Sequence, residues 1–545
     1  MRLQKLLIEN FRGLPRLELE LDRITVLIAE NNHGKTSVFD VLGLCLGSRG
    51  AAPDSRFRED DFHQEPGGPT RAIRIVLTFA GGTPKDDPKG GGHTYVEFSG
   101  NPADGAIRRR FIDDDGEPLD PQPDLEDLAD LQRAHPFLLL RFAHPQYGVS
   151  PESPGESPGR EQRGRGRLES TVARVYHDLT HTRGPLPADE IADGLAAAHR
   201  LLGEGEAEAG SGTPVRRLVD ELLAEVRTLA KENKGTMLSR SGRGGQNLGL
   251  LLVLGAMLDL HRDTTVPAGA KPIIAIEEPE AHLHPILLAS TWDAIERLRA
   301  QTVITTNSGE LLSSVPMTSL RRLVRAEHEI GVHRLRSGSL TESDMRRVRY
   351  HIRARRGGVL FARCWLLVEG ESEFWLLSQL AHVLGYDLEA EGVRPIEFAQ
   401  CGVVPLLKLA RDMGIEWHLL SDGDESGGVY ARDAAHHLEG VEESRRITRL
   451  GRRDVERCLW YHGFDDVYRK AARSSRKKDK RGRGEPPGRL ISKAVRKTSK
   501  PYLALAVAEA AAERGPESVP PVLRRVIETS VSLAREIERA GTRRH

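Results

Sequence analysis

Trp365-Leu366-Leu367-Val368-Glu369-Gly370-Glu371-Ser372-Glu373 is an apolar run that stops abruptly in acid. Four large apolar residues in succession read as a short, fully buried strand. A helical pattern follows, with Phe374, Leu376, Leu377, Leu380 and Ala381 at the spacing of one apolar face. A carboxylate at the C-terminal end of a buried strand points into the crevice where α/β sheets place their chemistry. About fifty residues on, the arrangement recurs: His418-Leu419-Leu420-Ser421 runs into Asp422-Gly423-Asp424. Two strand-end acidic clusters in one α/β unit suit a hard divalent cation such as Mg²⁺, which takes oxygen ligands. Two solvated acidic turns are the competing reading, and the apolar strand ahead of each cluster weighs against it.

The chain has 545 residues, enough for about three domains of ~100–200 residues each. Hydrophobic residues make up 39%, ample for packed cores, and the formal net charge is zero, so any basic surface must be local. The four cysteines (Cys45, Cys364, Cys401 and Cys458) are scattered without a CxxC pair. That argues against a disulfide framework or a thiolate metal site and fits a reducing cytoplasm. Met1 leads directly into a strand-like segment rather than a signal peptide, and no apolar run approaches the ~18 residues of a membrane span. The expectation is a soluble cytoplasmic protein with no membrane partner.

Residues 3–9 and 16–28 read as two strands. Ile24 to Ile28 then runs into Ala29-Glu30-Asn31-Asn32-His33-Gly34-Lys35-Thr36-Ser37, and a helix with Val38, Val41, Leu42 and Leu44 on one face follows. Strand, loop, helix is the setting of a P-loop. Backbone N–H groups of Asn31, Asn32 and Gly34 and the helix start at Ser37 would cradle phosphates. Lys35 would neutralise the β- and γ-phosphates, and the Thr36 hydroxyl would ligate Mg²⁺. The first glycine of the pattern is replaced by Ala29. Ala72–Phe79, Thr94–Phe98 and Ile107–Ile112 read as further strands. Asp60, Asp61 and Gln64 lie where a nucleotide-sensing loop would sit. Residues 148–168 have the composition of a long loop, and helical patterns follow over 169–176, 188–202 and 215–231.

Further on, Ser241-Gly242-Arg243-Gly244-Gly245-Gln246 precedes an apolar helix, a second anion site of serine and glycines at a helix start. Pro272 to Ile276 is a buried strand ending in Glu277-Glu278-Pro279-Glu280. Glu277 is placed to hold Mg²⁺ through water, and Glu278 to polarise an attacking water. Thr302–Thr306 is one more strand and ends at Asn307-Ser308. This set, opened by Asn10-Phe11-Arg12, resembles the ABC-type ATPase head of the SMC and RecF kind. The resemblance implies ATP with one Mg²⁺. Arg12, Asn31, Asn32, Gly34, Lys35, Thr36 and Ser37 would contact the nucleotide, as would Asn307 in the switch position. It also implies a homodimer in which Ser241, Gly244 and Gln246 of one head face the P-loop of the other. The switch residue of that family is usually histidine, so Asn307 and Ala29 both depart from its pattern.

The C-terminal third opens on a basic run with Arg346, Arg347, Arg349, Arg353, Arg355, Arg356 and Arg363, interleaved with Tyr350 and Phe361. It reads either as a phosphate-tracking surface or as a solvated linker. Glu369-Gly370 with the later Asp422-x-Asp424 resembles the Toprim domain, and a head followed by Toprim in one chain resembles the OLD family of nucleases. That resemblance implies a second glutamate at Glu373 and a later acid at Glu456. It also implies a catalytic lysine at Lys500 in Thr498-Ser499-Lys500-Pro501, with Lys493 as the alternative. Such a carboxylate set can hold two Mg²⁺ or Mn²⁺ ions ~3.5–4 Å apart, which activate water and stabilise the leaving oxygen of a phosphodiester. Lys500 would stabilise the extra charge of the transition state. The basic stretch Arg473–Arg483 reads as a mobile loop for non-specific phosphate contact or as a plain spacer.

The sequence therefore predicts an α/β protein. An ABC-type ATPase head (1–165 and 235–345) carries a helical dimerisation insertion (166–234). A Rossmann-like Toprim domain with a parallel central sheet follows (360–545). The expected catalytic residues are Glu369, Asp422, Asp424 and Lys500, with Glu278 in the head. The expected metal ligands are Glu369, Glu373, Asp422, Asp424 and Glu456 at the nuclease site, and Thr36 and Glu277 at the ATP site. The expected activity is ATP-regulated, metal-dependent cleavage of double-stranded DNA with little sequence preference. For some members the family implies a helicase alongside, and a role in phage defence or DNA repair. The alternative is a non-nucleolytic SMC- or RecF-like clamp or recombination mediator. Too few cysteines remain for a primase zinc module, and about 120 residues after Asp424 leave no room for a topoisomerase tyrosine domain.

Overall fold

A computed structural model describes residues 1–47 apart from 32, 55–64, 69–80, 93–120, 122, 125–141 apart from 136, 271–280, 292, 295–296, 300–354, 357–473 and 485–542. The chain divides into two compact units, Met1–Val332 and His333–His545. The helical patterns expected within 166–234, the segment Ser241–Gln246 and most of Arg473–Arg483 lie outside the described residues.

The first unit holds an 11-stranded sheet. Its strands are β1 (Arg2–Phe11), β2 (Leu14–Glu20), β3 (Ile24–Ala29), β4 (Ile73–Ala80), β5 (His93–Gly100), β6 (Ile107–Ile112), β7 (Phe137–Arg141), β8 (Ile273–Glu277), β9 (Gln301–Thr305), β10 (Leu320–Arg325) and β11 (Ile330–His333). They lie in the order β6-β5-β4-β1-β2-β11-β10-β3-β9-β8-β7. The β6-β5-β4-β1-β2 half is antiparallel, whereas β10, β3, β9, β8 and β7 run parallel. Burial follows this division. Every residue of β3 is buried, as a strand covered on both faces requires, while β2 alternates buried and exposed.

Residues 16–28, expected as one strand, are two. The break falls at Asp22-Arg23. There the Asp22 N–H donates to Thr25 Oγ1 at 2.9 Å, and its carboxylate accepts from the buried Arg321 guanidinium at 2.6 Å. The chain thus leaves the antiparallel half and enters the parallel core at a turn fixed by one aspartate. The change from alternating to continuous apolar residues carried that signal in the sequence.

The second unit has a four-stranded sheet: β12 (Cys364–Val368), β13 (Val393–Glu397), β14 (Glu416–Ser421) and β15 (Ile447–Arg449), in the order β13-β12-β14-β15. All its pairings are parallel. From β12 the chain passes through the helix Glu371–Val383 to β13 on one side. It then returns through the helix Val403–Asp412 to β14 on the other side. This reversal makes the gap between the C-terminal ends of β12 and β14 the topological switch point, where open α/β sheets bind ligands. Leu366, Val368, Leu376 and Leu380 pack with Leu503, Val507, Leu523 and Ile527 of the C-terminal helices in one core. The basic run after Glu342 begins on a regular element. It is largely a helix, Glu342–Ala354, that buries Val348, His351 and Ile352 and exposes Arg346, Arg347, Arg349 and Arg353. All four cysteines are buried and free. Among the described residues, no helix is long and apolar enough to cross a membrane.

Candidate functional site

In the first unit, the P-loop, the acids after β8 and the end of β9 converge because β3, β9 and β8 are neighbours in the parallel core. Gly34 has φ +87°, and a Cβ there would lie 2.2 Å from Leu14 Cδ2, so only glycine fits the turn into the helix Lys35–Leu46. The Lys35 ammonium is buried and donates to Ala29 O at 2.6 Å and to Asn307 Oδ1 at 2.8 Å. Burial lowers its pKa, opposed by the charges of Glu278, Glu280 and Glu277. Thr36 Oγ1 donates to Glu277 Oε1 at 2.7 Å. Asn307 is the hub of the group. Its Nδ2 donates to Glu278 Oε1 at 2.6 Å, and its backbone N–H donates to Glu280 Oε1 at 2.7 Å. Glu278 sits at φ +47°, in the left-handed region that non-glycine residues avoid. Arg12, also at positive φ, is held by Asp40 and by Asp61, the latter at 2.8 Å. Asn31 is exposed and Ser37 part-buried in the loop and first helical turn. Asn32, Ser241, Gly244 and Gln246 lie outside the described residues.

In the second unit, the acids gather at the switch point. Glu369 follows β12, and its Oε2 is buried with no hydrogen-bond partner among the described residues. Burial raises its pKa, Asp424 raises it further and Lys500 opposes. Glu373 is 7% exposed, one helical turn on, and its Oε2 accepts from the Gly370 N–H at 3.1 Å. It thereby caps its own helix with one oxygen and keeps the other. Burial, then Glu456, pushes Glu373 up to about 7. Asp422 follows β14 and is pushed up to about 8 by burial, then by Glu373, Glu369, Glu456 and Asp454. Asp424 caps the next helix, accepting from the Gly427 N–H at 2.9 Å through Oδ1. Glu456 is buried and pairs with the Lys500 ammonium at 2.8 Å. Burial pulls Lys500 down, but Glu456, Glu373 and Asp422 outweigh it and hold the ammonium charged. It is Lys500 rather than Lys493 whose charge meets the cluster. Ser499, directly before it, adopts φ +68° and ψ 154°, a region open in practice only to glycine.

The family described as "Protein of unknown function (DUF2813)" matches residues 1–99 and 92–358, and the "Overcoming lysogenization defect protein-like, TOPRIM domain" matches residues 360–424. The protein YbjD of Escherichia coli (strain K12) is 35% identical over 98% of this chain and 99% of its own length. This chain belongs to the DUF2813 family, and its residues 360–424 form an OLD-like Toprim domain. The OLD nuclease of Thermus scotoductus is 23% identical, covering 77% of this chain and 82% of that protein. A solved structure of the C-terminal region of the Burkholderia pseudomallei OLD protein aligns with a TM-score of 0.27 and 19% identity, over 32% of this chain and 99% of that one.

The OLD-like Toprim domain has further residues at its site that the motifs did not single out. Asp454 lies close enough to Asp422 to raise it, and its own carboxylate caps the helix Val455–Leu459 and pairs with Arg457. Arg449, at the end of β15, donates to the Asp424 carbonyl at 2.8 Å and to the Gly423 carbonyl at 3.3 Å. Gly423 N–H in turn donates to Arg452 O at 3.1 Å. A Cβ on Gly423 would lie 2.2 Å from that oxygen. The signal was present in Arg449–Glu456, but only the adjacency of β15 to β14 gives it meaning.

Among the described residues, no three His, Cys, Asp or Glu side chains close tightly enough to hold an ion as they stand. The donor set nonetheless fits a divalent cation. It consists of hard carboxylate oxygens, it includes a buried oxygen of Glu369 without a partner, and three of its acids are raised by burial and mutual repulsion.

Proposed function

We propose that this chain is a metal-dependent DNA endonuclease of the OLD family whose head binds ATP and governs cutting. The observation that carries the reading is the meeting of Glu369, Glu373, Asp422 and Glu456 with Lys500 at the switch point of a parallel sheet. Glu369, Asp422 and Glu456, with the remaining oxygens of Glu373 and Asp424, would hold two Mg²⁺ or Mn²⁺ ions. Bound there, the ions would supply a nucleophilic water and neutralise the leaving oxygen of a phosphodiester. Lys500 lies beside Glu456 to stabilise the added negative charge of the pentacoordinate phosphorus.

In the head, Lys35, Thr36 and Glu277 would hold Mg·ATP, and Glu278, whose carboxylate accepts from Asn307 Nδ2, would polarise the attacking water. Two heads would close on ATP as a homodimer and so bring two cutting sites to one DNA. Binding is mainly to phosphates, with little sequence preference and strong salt dependence. A helicase acting alongside follows the pattern of some family members.

A plasmid-nicking assay in Mn²⁺ on wild type and Asp422→Ala tests the reading. Wild type should convert supercoiled to open-circular and linear DNA, and the variant should lose at least ~100-fold in rate, as loss of a metal ligand does. Absent cutting by both, or equal cutting by both, would leave the clamp reading in its place.

A further inference from the structure

Aromatic rings that stand out into solvent are few on the described surface. They are Tyr350, Trp375 (42% exposed), Tyr461 (53%) and Tyr502 (69%). Three of the four lie on elements that also carry Glu373, Glu456 or Lys500, or directly follow one. Trp375 is two residues past Glu373 on the same helix. Tyr502 is two residues past Lys500 in the first turn of the helix Lys500–Arg514, which packs against the helix carrying Trp375. Tyr461 lies in the turn after the helix that carries Glu456.

Tyr461 is tied to the site by a short chain of contacts. The Arg452 guanidinium lies 4.3 Å from the centre of its ring. The Arg452 carbonyl accepts from Gly423 N–H at 3.1 Å, and Gly423 stands between Asp422 and Asp424. Arg452, like Tyr461, is exposed. An exposed ring beside an exposed guanidinium offers a stacking face and a phosphate partner in one place. The cluster itself is too acidic to attract a phosphate. A cation and a flat ring at its edge supply what it lacks: the guanidinium takes phosphate and the ring takes the face of a base. In intact duplex every base face is already covered by its neighbours, so a protein ring can stack only on a base that is unpaired.

We infer that Arg452 and Tyr461 form a subsite for an unpaired nucleotide beside the scissile phosphate. The substrate class is then DNA that presents a single-stranded segment (a gap, a flap or a frayed end) in preference to uninterrupted duplex. The inference rests on the nuclease reading and deepens it.

The test uses the full chain. Binding is measured in EDTA to a gapped duplex with 2-aminopurine in the gap and to uninterrupted duplex of the same length. Cutting of both substrates is then measured in Mn²⁺. Wild type should quench the 2-aminopurine and bind the gapped DNA more tightly. Tyr461→Ala and Tyr461→Leu, which lack a flat face, should each lower the gapped-to-duplex ratio about 5- to 100-fold, the range of one stacked base. Tyr461→Phe should restore it, and Arg452→Ala should weaken binding to both DNAs. A ratio that survives Tyr461→Leu, or a probe that stays unquenched in wild type, overturns the subsite, and would leave the rings as a protein-docking face. A Tyr461-dependent preference in EDTA without cutting in Mn²⁺ would instead refute the nuclease reading and leave the subsite standing.

Discussion

Replacing Asp422 by asparagine should stabilise the metal-free protein while abolishing its cutting. The side chain keeps its shape but loses a charge that Glu373, Glu369, Glu456 and Asp454 all oppose. Asp422 is carried from its ordinary 3.8 to about 8, and at ~1.36 kcal/mol per pH unit its ionised form would cost roughly 5–6 kcal/mol if fully shielded from water. Asp422 is only part-buried, and solvent screening leaves about a third of that, roughly 2 kcal/mol. In a unit of this size that corresponds to a rise in Tm of about 4–8 °C. The sign follows from linkage. The folded state keeps the Asp422 proton over a pH range where the unfolded chain has lost it. The group's contribution to stability is therefore whole below pH 3.8 and falls as pH rises to about 8. The gain from Asp422→Asn should be nearly complete at pH 8.5 and smaller at pH 5. Thermal melts of both proteins in EDTA at the two pH values measure it. Adding Mn²⁺ at pH 8.5 should raise the melting point of wild type and leave Asp422→Asn nearly unmoved, because the cation replaces the protons these acids otherwise need. A lower melting point for Asp422→Asn at pH 8.5, or the same gain at both pH values, would refute the reasoning.

Four further substitutions probe other parts of the two sites. Lys35→Ala removes the buried ammonium and should weaken binding of a fluorescent ATP analogue by at least ~10-fold, whereas Asn307→Ala should weaken binding less and slow hydrolysis by about 10-fold or more, because Glu278 loses the amide that bonds it. Gly423→Ala drives a methyl group into the carbonyls of Arg452 and Leu450, at 2.2 and 2.5 Å. It should cost about 1–3 kcal/mol in urea unfolding and remove nicking by shifting Asp422 and Asp424. Ser499→Gly relieves a backbone conformation worth ~1–3 kcal/mol of strain against the ~0.5–1 kcal/mol that glycine loses in entropy. The urea midpoint should rise, and a clear fall would mean that the conformation is not strained.

The sequence by itself determined the local units. A continuous apolar run ending in Glu369, another ending in Asp422, and Ile24–Ile28 leading into Gly34-Lys35-Thr36 are legible because strand burial and strand-to-helix turns depend on neighbours in the chain. The same reasoning found the acids after β8. It blurred the join at Asp22-Arg23, where an ion pair with Arg321, 299 residues away, helps to fix the turn. Tertiary structure alone decided which units meet. Strand order β13-β12-β14 puts Glu369 and Asp422 on the two sides of one crevice, and the order β3-β9-β8 lets Asn307 join Lys35 to Glu278. The pairing of Lys500 with Glu456, 44 residues earlier, and the approach of Asp454, Arg449 and Arg452 to the Asp422 loop are likewise products of packing. Chain periodicity records which face of an element is buried, but not which element covers it, and charges act across space regardless of their separation along the chain.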